Sequence, residues 1–221
     1  MNITERITRM RERNPFISNT DIAYDVILEC ILDGELACGE GLNQEGLAAS
    51  LGISRTPVRD ALALLEKEGF VIKEKNGHYK VYELELNDCL DFTNFRKCIE
   101  GYSAYQAAEY ATSSELKKMA ETLESLKKAE AERDFSQFLV LDGVFHKQII
   151  DAAKNKYIAE IYEQHMNKLS FYRRMLLNEE NLQYICKKHE QILHWIMERN
   201  GENARAAMEN HVTINLKMLT K

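Results

Sequence analysis

Proline and glycine are scarce in this 221-residue chain, at 2 and 10 residues. That disfavours a long structureless linker and favours extended helices. No apolar run approaches the roughly 20 residues that a membrane-spanning helix needs. The segment Met1 to Arg13 is polar and lacks the apolar core of a signal peptide. The cysteines (Cys30, Cys38, Cys89, Cys98, Cys186) are odd in number, scattered and never spaced as CxxC. They read as unpaired thiols of a reducing cytoplasm, not as a disulfide framework. Basic residues are missing from 14 to 53, where Asp21, Asp25, Glu29, Asp33, Glu35, Glu40 and Glu45 all fall. They return at Arg55, Arg59, Lys67, Lys73, Lys75 and Lys80. The net charge of -6 argues mildly against nucleic acid as a partner, yet that local basic strip could serve a small DNA-reading module. With 45% apolar and 29% charged residues the chain is of ordinary globular composition, long enough for two domains or one large one.

The periodicity changes character near residue 86, which divides the chain into expected domains 1–86 and 87–221. In the first, Ile22, Val26, Ile27 and Ile31 repeat at helical spacing, with Thr20 or Asp21 as cap and Asp33-Gly34 as the stop. A turn at Cys38 to Gly41 precedes Asn43 and a short helix through Leu47, Ala48 and Leu51, closed by Gly52. Ser54 can cap a third helix whose early turn tolerates Pro57 and which turns Val58, Ala61, Leu62 and Leu65 inward. After Glu68-Gly69 a strand begins at Phe70-Val71-Ile72, turns at Asn76-Gly77 and returns over Tyr79 to Tyr82. Three helices and a hairpin are the layout of a winged helix-turn-helix. In that layout the second helix of the pair enters a major groove, where arginine can bind guanine with two hydrogen bonds. Arg55 and Arg59, four apart, project from one face near the helix start, and Ser54 or Thr56 could join the backbone donors on phosphate. The plainer alternative, solubilising surface arginines, leaves the ordered cap, proline and wing unexplained.

The residues Gly34-Glu35-Leu36, Gly39, Leu42, Leu47-Ala48, Leu51 to Leu62, Leu65, Glu68-Gly69 and Gly77 resemble the DNA-binding domain of the GntR family, over about residues 15 to 83. The resemblance implies that Arg55 and Arg59 contact operator DNA and that the wing tip, with His78, enters the minor groove. Cys38 departs from the usual proline. Glu45 and Leu28 stand where relatives often carry basic residues, which implies weaker non-specific phosphate attraction or an unusual operator.

From residue 87 onward the sequence predicts an all-α antiparallel bundle of about six helices: 88–111, 113–130, 134–153, 155–176, 179–200 and 202–219. Short breaks fall at Thr112-Ser113-Ser114, Glu132-Arg133-Asp134, Asn155, Asn178 and Asn200-Gly201, with Ser114 and Asp134 as caps. Three of these helices carry polar residues on their apolar side. Asp142 and His146 lie one turn apart within the stripe Phe135, Phe138, Leu139, Phe145, Ile149. His189 sits between Ile185 and Ile192, and His211 among Ala204, Ala207, Met208, Ile214 and Met218. A buried carboxylate is costly unless paired or ligating a metal. One Asp and three His would make a site for a divalent cation such as Zn²⁺, Ni²⁺ or Mn²⁺. Periodicity alone leaves open whether the helices meet, and a lone core histidine is more often simply hydrogen-bonded.

Asp142-x-x-x-His146, the His189-Glu190 region and Asn210-His211 resemble the metal-binding motif of the all-helical FCD-type ligand domain found in the FadR branch of GntR regulators, over about 90 to 216. Six helices suggest the shorter VanR-like subgroup. The resemblance implies that a small carboxylate effector completes the metal site and that Arg96, within Phe95-Arg96-Lys97-Cys98-Ile99-Glu100, anchors it; the plainer reading of Arg96 is an exposed surface charge. Tyr102, His165, Tyr172 and Arg173 are further effector-site candidates. His165 falls on the stripe Ile161, Tyr162, Leu169, Tyr172 and is expected to face the bundle interior, where a satisfied core histidine is the plainer role. His194 lies off its stripe, at the surface. No HExxH or comparable hydrolase spacing accompanies the ligands, although Glu190 or His165 would be general-base candidates, so an enzyme is not expected. The expectation is a cytoplasmic, dimeric regulator that binds double-stranded operator DNA under control of a small organic acid, the segment Glu83 to Asn87 being the place where domains reorient. The alternative is a DNA-binding regulator with a purely structural metal site.

Overall fold

A computed structural model describes residues 3–83, 85–177 and 179–219, with side chains to residue 213. Leu84 of the expected connector, the expected break Asn178, and the Ile214 and Met218 side chains lie outside the described residues. The chain forms two compact units, Met1–Leu84 and Glu85–Lys221. The architecture is mostly α, a winged helix-turn-helix followed by a helical bundle.

The first unit comprises α1 (Ile3–Arg13), α2 (Asn19–Leu32), β1 (Gly41–Leu42), α3 (Gln44–Leu51), α4 (Arg55–Glu68), β2 (Val71–Lys73) and β3 (Tyr79–Val81). Helix α2 buries Ile22, Val26, Ile27 and Ile31 against the inward face of α4, Val58, Ala61, Leu62 and Leu65. Its N-cap is Ser18, whose hydroxyl accepts from the Asp21 amide, so the cap lies two residues earlier than Thr20. Asn43 caps α3 through the amides of Glu45 and Gly46. Gly52 and Gly69 end α3 and α4 in left-handed conformation (φ 66° and 75°), which costs glycine no Cβ clash. The sheet has order β1-β3-β2, both pairs antiparallel. Strand β1 falls where the sequence suggested only a turn.

Helix α1 was not expected either. Its apolar row, Ile3, Ile7 and Met10, is short and only partly buried, whereas Arg6 is 1% exposed. Arg6 Nη2 reaches Asp33 Oδ2 at 2.9 Å and Glu35 Oε1 at 2.6 Å, Nη1 lies 3.6 Å from Glu29, and Arg9 pairs with Glu29 at 3.2 Å. Three acids of the stretch without basic residues, Glu29, Asp33 and Glu35, are thus the seat of α1. Leu28 is buried as well, which accounts for an apolar residue at that position.

The second unit comprises α5 (Leu86–Arg96), a π turn (Lys97–Gly101), α6 (Tyr102–Tyr110), α7 (Ser113–Ala131), α8 (Phe135–Ala152), α9 (Lys156–Gln164), α10 (Met166–Leu176), a 3-10 turn (Glu179–Asn181), α11 (Leu182–Met197) and α12 (Gly201–Leu219). Thr112, not Ser114, caps α7, in a capping box with Glu115, while Asp134 caps α8 as expected. Two small residues let helices approach closely. A Cβ added to Gly101 would lie 2.8 Å from Glu209 Cγ, and one on Gly201 would lie 2.8 Å from the Tyr105 ring. Alanines 104, 107, 108 and 204 share the same core and are all buried.

The helix expected over 155–176 is two helices. It breaks at His165 (φ -106°, ψ 7°), whose Nδ1 donates to the Ile161 carbonyl at 2.8 Å. His165 is therefore exposed beside Phe95 instead of interior. No proline or glycine marks the break, and an unbroken apolar stripe across it reads as one helix. Among the described residues no helix is long and apolar enough to cross a membrane, and all five cysteines are free thiols.

Candidate metal centre and nucleic-acid interface

Asp142 and His146 on α8, His189 on α11 and His211 on α12 converge, with ligand atoms within 4.8 Å of one another and every residue at most 3% exposed. The three Nε2 atoms form a triangle: 3.1 Å from His146 to His211, 3.3 Å from His189 to His146 and 3.2 Å from His189 to His211. Asp142 Oδ1 lies 3.3 Å from His189 Nε2 and 3.9 Å from His146 Nε2.

Hydrogen bonding cannot satisfy that triangle. Each Nε2 carries either one hydrogen or one lone pair in the ring plane. Two donors can share one acceptor, but the third contact is then donor against donor. Three lone pairs directed at one cation remove the conflict. Zn–N bonds of about 2.0–2.1 Å at the tetrahedral angle hold two nitrogens about 3.3 Å apart. The observed spacings match, and the donor set suits a borderline divalent ion.

Electrostatics favour the same state. Burial pushes the His189 pKa down to about 3, outweighing Asp142, and holds His211 well below the usual histidine range, with His189 and His146 adding to the effect. Both rings are neutral and have lone pairs to offer. Burial alone would raise Asp142, but His146, His189 and Arg173 hold its carboxyl below the usual value. Arg173 sets its orientation: Nε lies 3.1 Å from Asp142 Oδ2, and Nη2 donates to Tyr162 Oη at 2.7 Å. Gly143 makes room, since a Cβ there would stand 3.4 Å from Arg173 Nη1.

The effector-site candidates divide. Arg96 is 2% exposed, not a surface charge, and its Nε and Nη2 clasp Glu100 at 2.7 and 3.0 Å. Arg173 also belongs to the cluster. Tyr172 is buried on α10, its ring 4.0 Å from that of Phe92. Tyr102 is 40% exposed, stacked on Tyr105, and His165 is exposed as described. His194 lies at the surface as expected. Glu190 is partly exposed and paired with Lys127.

Sequence reading missed Glu100. It is 0% exposed on the π turn, and its Oε2 lies 2.7 Å from His146 Nδ1. Its only sequence signal was the four-residue spacing from Arg96. Burial opposes its charge, but Arg96 and His146 hold its pKa well below the usual carboxylate range.

On the winged unit Ser54 occupies the N-cap of α4, with Arg55 and Thr56 opening the helix. The Ser54 hydroxyl makes no capping bond, so it need not leave the helix to meet phosphate. Arg55 Nη1 pairs with Glu45 at 2.5 Å and Arg59 with Asp60 at 3.3 Å, all of them well exposed. The wing tip closes with Gly77 at φ 84°, leaving His78 exposed. Arg55, Glu45, Gln44 and His78 line one surface groove of about 590 Å³, so the helix start and wing present a shared face.

A winged helix-turn-helix with an exposed arginine pair, followed by a helical bundle with a buried polar centre, is the architecture of a DNA-binding regulator. Residues 19–81 match the bacterial regulatory proteins of the gntR family, and residues 91–213, more than half of the chain, match the FCD domain. The chain belongs to the GntR family and carries an FCD domain; it is a DNA-binding transcriptional regulator and not an enzyme. It is 30% identical over 157 residues to the Nta operon transcriptional regulator of Aminobacter aminovorans, covering 71% of each chain. It is 29% identical over 207 residues to LutR of Bacillus subtilis, covering 83% of this chain and 93% of LutR. The solved structure of E. coli McbR/YncC shares the fold, with a TM-score of 0.73 at 22% identity over 93% of this chain and 98% of the other.

Proposed function

We propose that this regulator binds a divalent ion through Asp142, His146, His189 and His211, and that a small organic acid bound at that centre changes its affinity for operator DNA. The observation that carries the reading is the triangle of three buried Nε2 atoms, which hydrogen bonds cannot satisfy and one cation can. A bound Zn²⁺, Ni²⁺ or Mn²⁺ would supply a Lewis-acidic position for a carboxylate oxygen. Arg96, Tyr172 and Arg173 are the remaining candidates for the acid's surroundings; the placements of Tyr102 and His165 argue against them. In the DNA-reading unit Arg55 and Arg59 read base edges, Ser54 and Thr56 meet phosphate, and His78 enters the minor groove. The active form is a cytoplasmic homodimer reading two half-sites. The break at His165 makes seven helical segments of the expected six, even with 86–110 counted as one, so the helix count no longer supports the VanR-like subgroup.

One observation favours a second reading, a purely structural ion. The Nε edge of Arg96 is taken by Glu100, and Arg173 is held by Asp142 and Tyr162, so neither side chain stands wholly free for a ligand. The two readings separate in one experiment. An operator selected from random duplex DNA is titrated with Zn²⁺-loaded protein in the presence of a panel of small carboxylic acids. Effector control predicts that at least one acid shifts affinity about 5- to 150-fold, a coupling of ~1–3 kcal/mol, and that His146→Ala abolishes the shift. Affinity that responds to the metal but to no acid selects the structural reading.

A further inference from the structure

We propose that Glu100 is a positioning residue of this centre: its carboxylate keeps the proton of His146 on Nδ1, so that the Nε2 lone pair faces His189 and His211. The inference rests on the metal-binding reading above and assigns Glu100, which does not touch the ion, a role in building the site.

An ionised carboxylate only accepts hydrogen bonds, so a ring nitrogen held against one carries the hydrogen. Glu100 Oε2 lies 2.7 Å from His146 Nδ1. The contact is close without being a well-aligned hydrogen bond. With the hydrogen on Nδ1, Nε2 keeps its lone pair on the side where Nε2 of His211 and His189 stand 3.1 and 3.3 Å away. Carboxylate support of this kind also raises the basicity of a metal-bound imidazole.

Glu100 can do this because it cannot move. It is 0% exposed, and Arg96 grips both of its oxygens. The π turn carries it to the inner end of α5, and the next residue, Gly101, admits α12 closely enough that any Cβ there would strike Glu209. One turn of chain thus orients His146 and lets the helix bearing His211 approach. Among the described residues Nδ1 of His189 has no such close carboxylate, its contact with Asp142 being through Nε2. Of these two histidines, His146 is the one whose tautomer a neighbouring carboxylate favours. Arg96 acts mainly by holding Glu100, and only its free Nη edge remains for an incoming carboxylate.

The test uses the full-length protein, Co²⁺ as the probe, and the nitrogen spectrum of ¹⁵N-labelled histidine. In metal-stripped wild type, His146 is expected to be protonated on Nδ1, a signature that mere packing of Glu100 would not impose. Glu100→Gln keeps the shape and a hydrogen bond to Arg96 but offers Nδ1 a donor. It should weaken Co²⁺ binding about 10- to 100-fold and move the His146 proton toward Nε2. Wild-type His146 protonated on Nε2, or Co²⁺ affinity within twofold in Glu100→Gln, overturns the proposal while leaving the metal site standing. Wild type that binds no Co²⁺ overturns the metal reading and this inference with it. The wild-type spectrum decides the matter even if the variant fails to fold.

Discussion

Each unit of this protein has an arginine–glutamate pair at its functional face, and the two pairs share little beyond their chemistry. Arg55 and Glu45 meet at 2.5 Å, but their side chains are 66% and 69% exposed. Arg96 and Glu100 meet at 2.7 Å and are 2% and 0% exposed. In water the first pair is screened and easily exchanged for phosphate or a base edge, which a DNA-reading surface requires. In the core the second pair holds a charge that has nowhere else to go, which a rigid ligand scaffold requires. On the proposed reading, the same two residue types serve recognition when exposed and positioning when buried.

The sharpest way to break this contrast is to remove one partner of the buried pair. Arg96→Met strips Glu100 of its bidentate partner and leaves it only His146 and, at 3.9 Å, Arg173; it should destabilise the helical unit by about 3–5 kcal/mol, read as a lower denaturant midpoint. A loss below about 1 kcal/mol would mean that Glu100 is not confined as described.

A second effect of order a few kcal/mol should appear with pH in metal-stripped protein. Burial lowers the folded-state pKa of His189 to about 3 and that of His211 well below 6.5, while the unfolded chain takes up protons near 6.5. Between those values the unfolded state binds more protons. Stability is therefore full above about pH 6.5 and falls as pH drops toward 3. Saturating Zn²⁺ should delay that loss. Thermal melts across pH 7.5 to 4 that show no change would contradict neutral, buried histidines.

On the exposed side the effects are smaller in stability and larger in selectivity. Arg59→Ala removes base-edge donors and no core atom, so operator affinity should fall by ~1–3 kcal/mol with the melting temperature unchanged. Normal operator binding by that variant would reject α4 as the reading helix. Glu45→Gln should change stability by less than about 1 kcal/mol and raise affinity for non-operator DNA, because it removes a negative charge beside Arg55. A large destabilisation would show that the exposed pair resembles the buried one after all.

The winged unit was legible because its signals are local. Asn43, Gly52, Gly69 and Asn76-Gly77 each set a cap or a turn by their own backbone chemistry. Helix α1 was not, since its apolar row Ile3, Ile7 and Met10 is short and only partly buried, and its anchor Arg6 is buried by distant acids on and after α2. In the helical unit the four candidate ligands showed themselves as polar residues on apolar stripes, whereas their convergence depends on the close packing that Gly101 and Gly201 permit. Glu100 and the break at His165 left almost no mark. A π turn and a break without proline or glycine both preserve an ordinary helical pattern.

The most direct test of the central claim is anomalous diffraction from crystals of the Zn²⁺-loaded protein, collected on both sides of the zinc edge. The account predicts one ion per chain, bonded to Nε2 of His146, His189 and His211 and to Asp142 at about 2.0–2.2 Å. An ion bound elsewhere, or the three histidines bonded only to one another and to water, would contradict it.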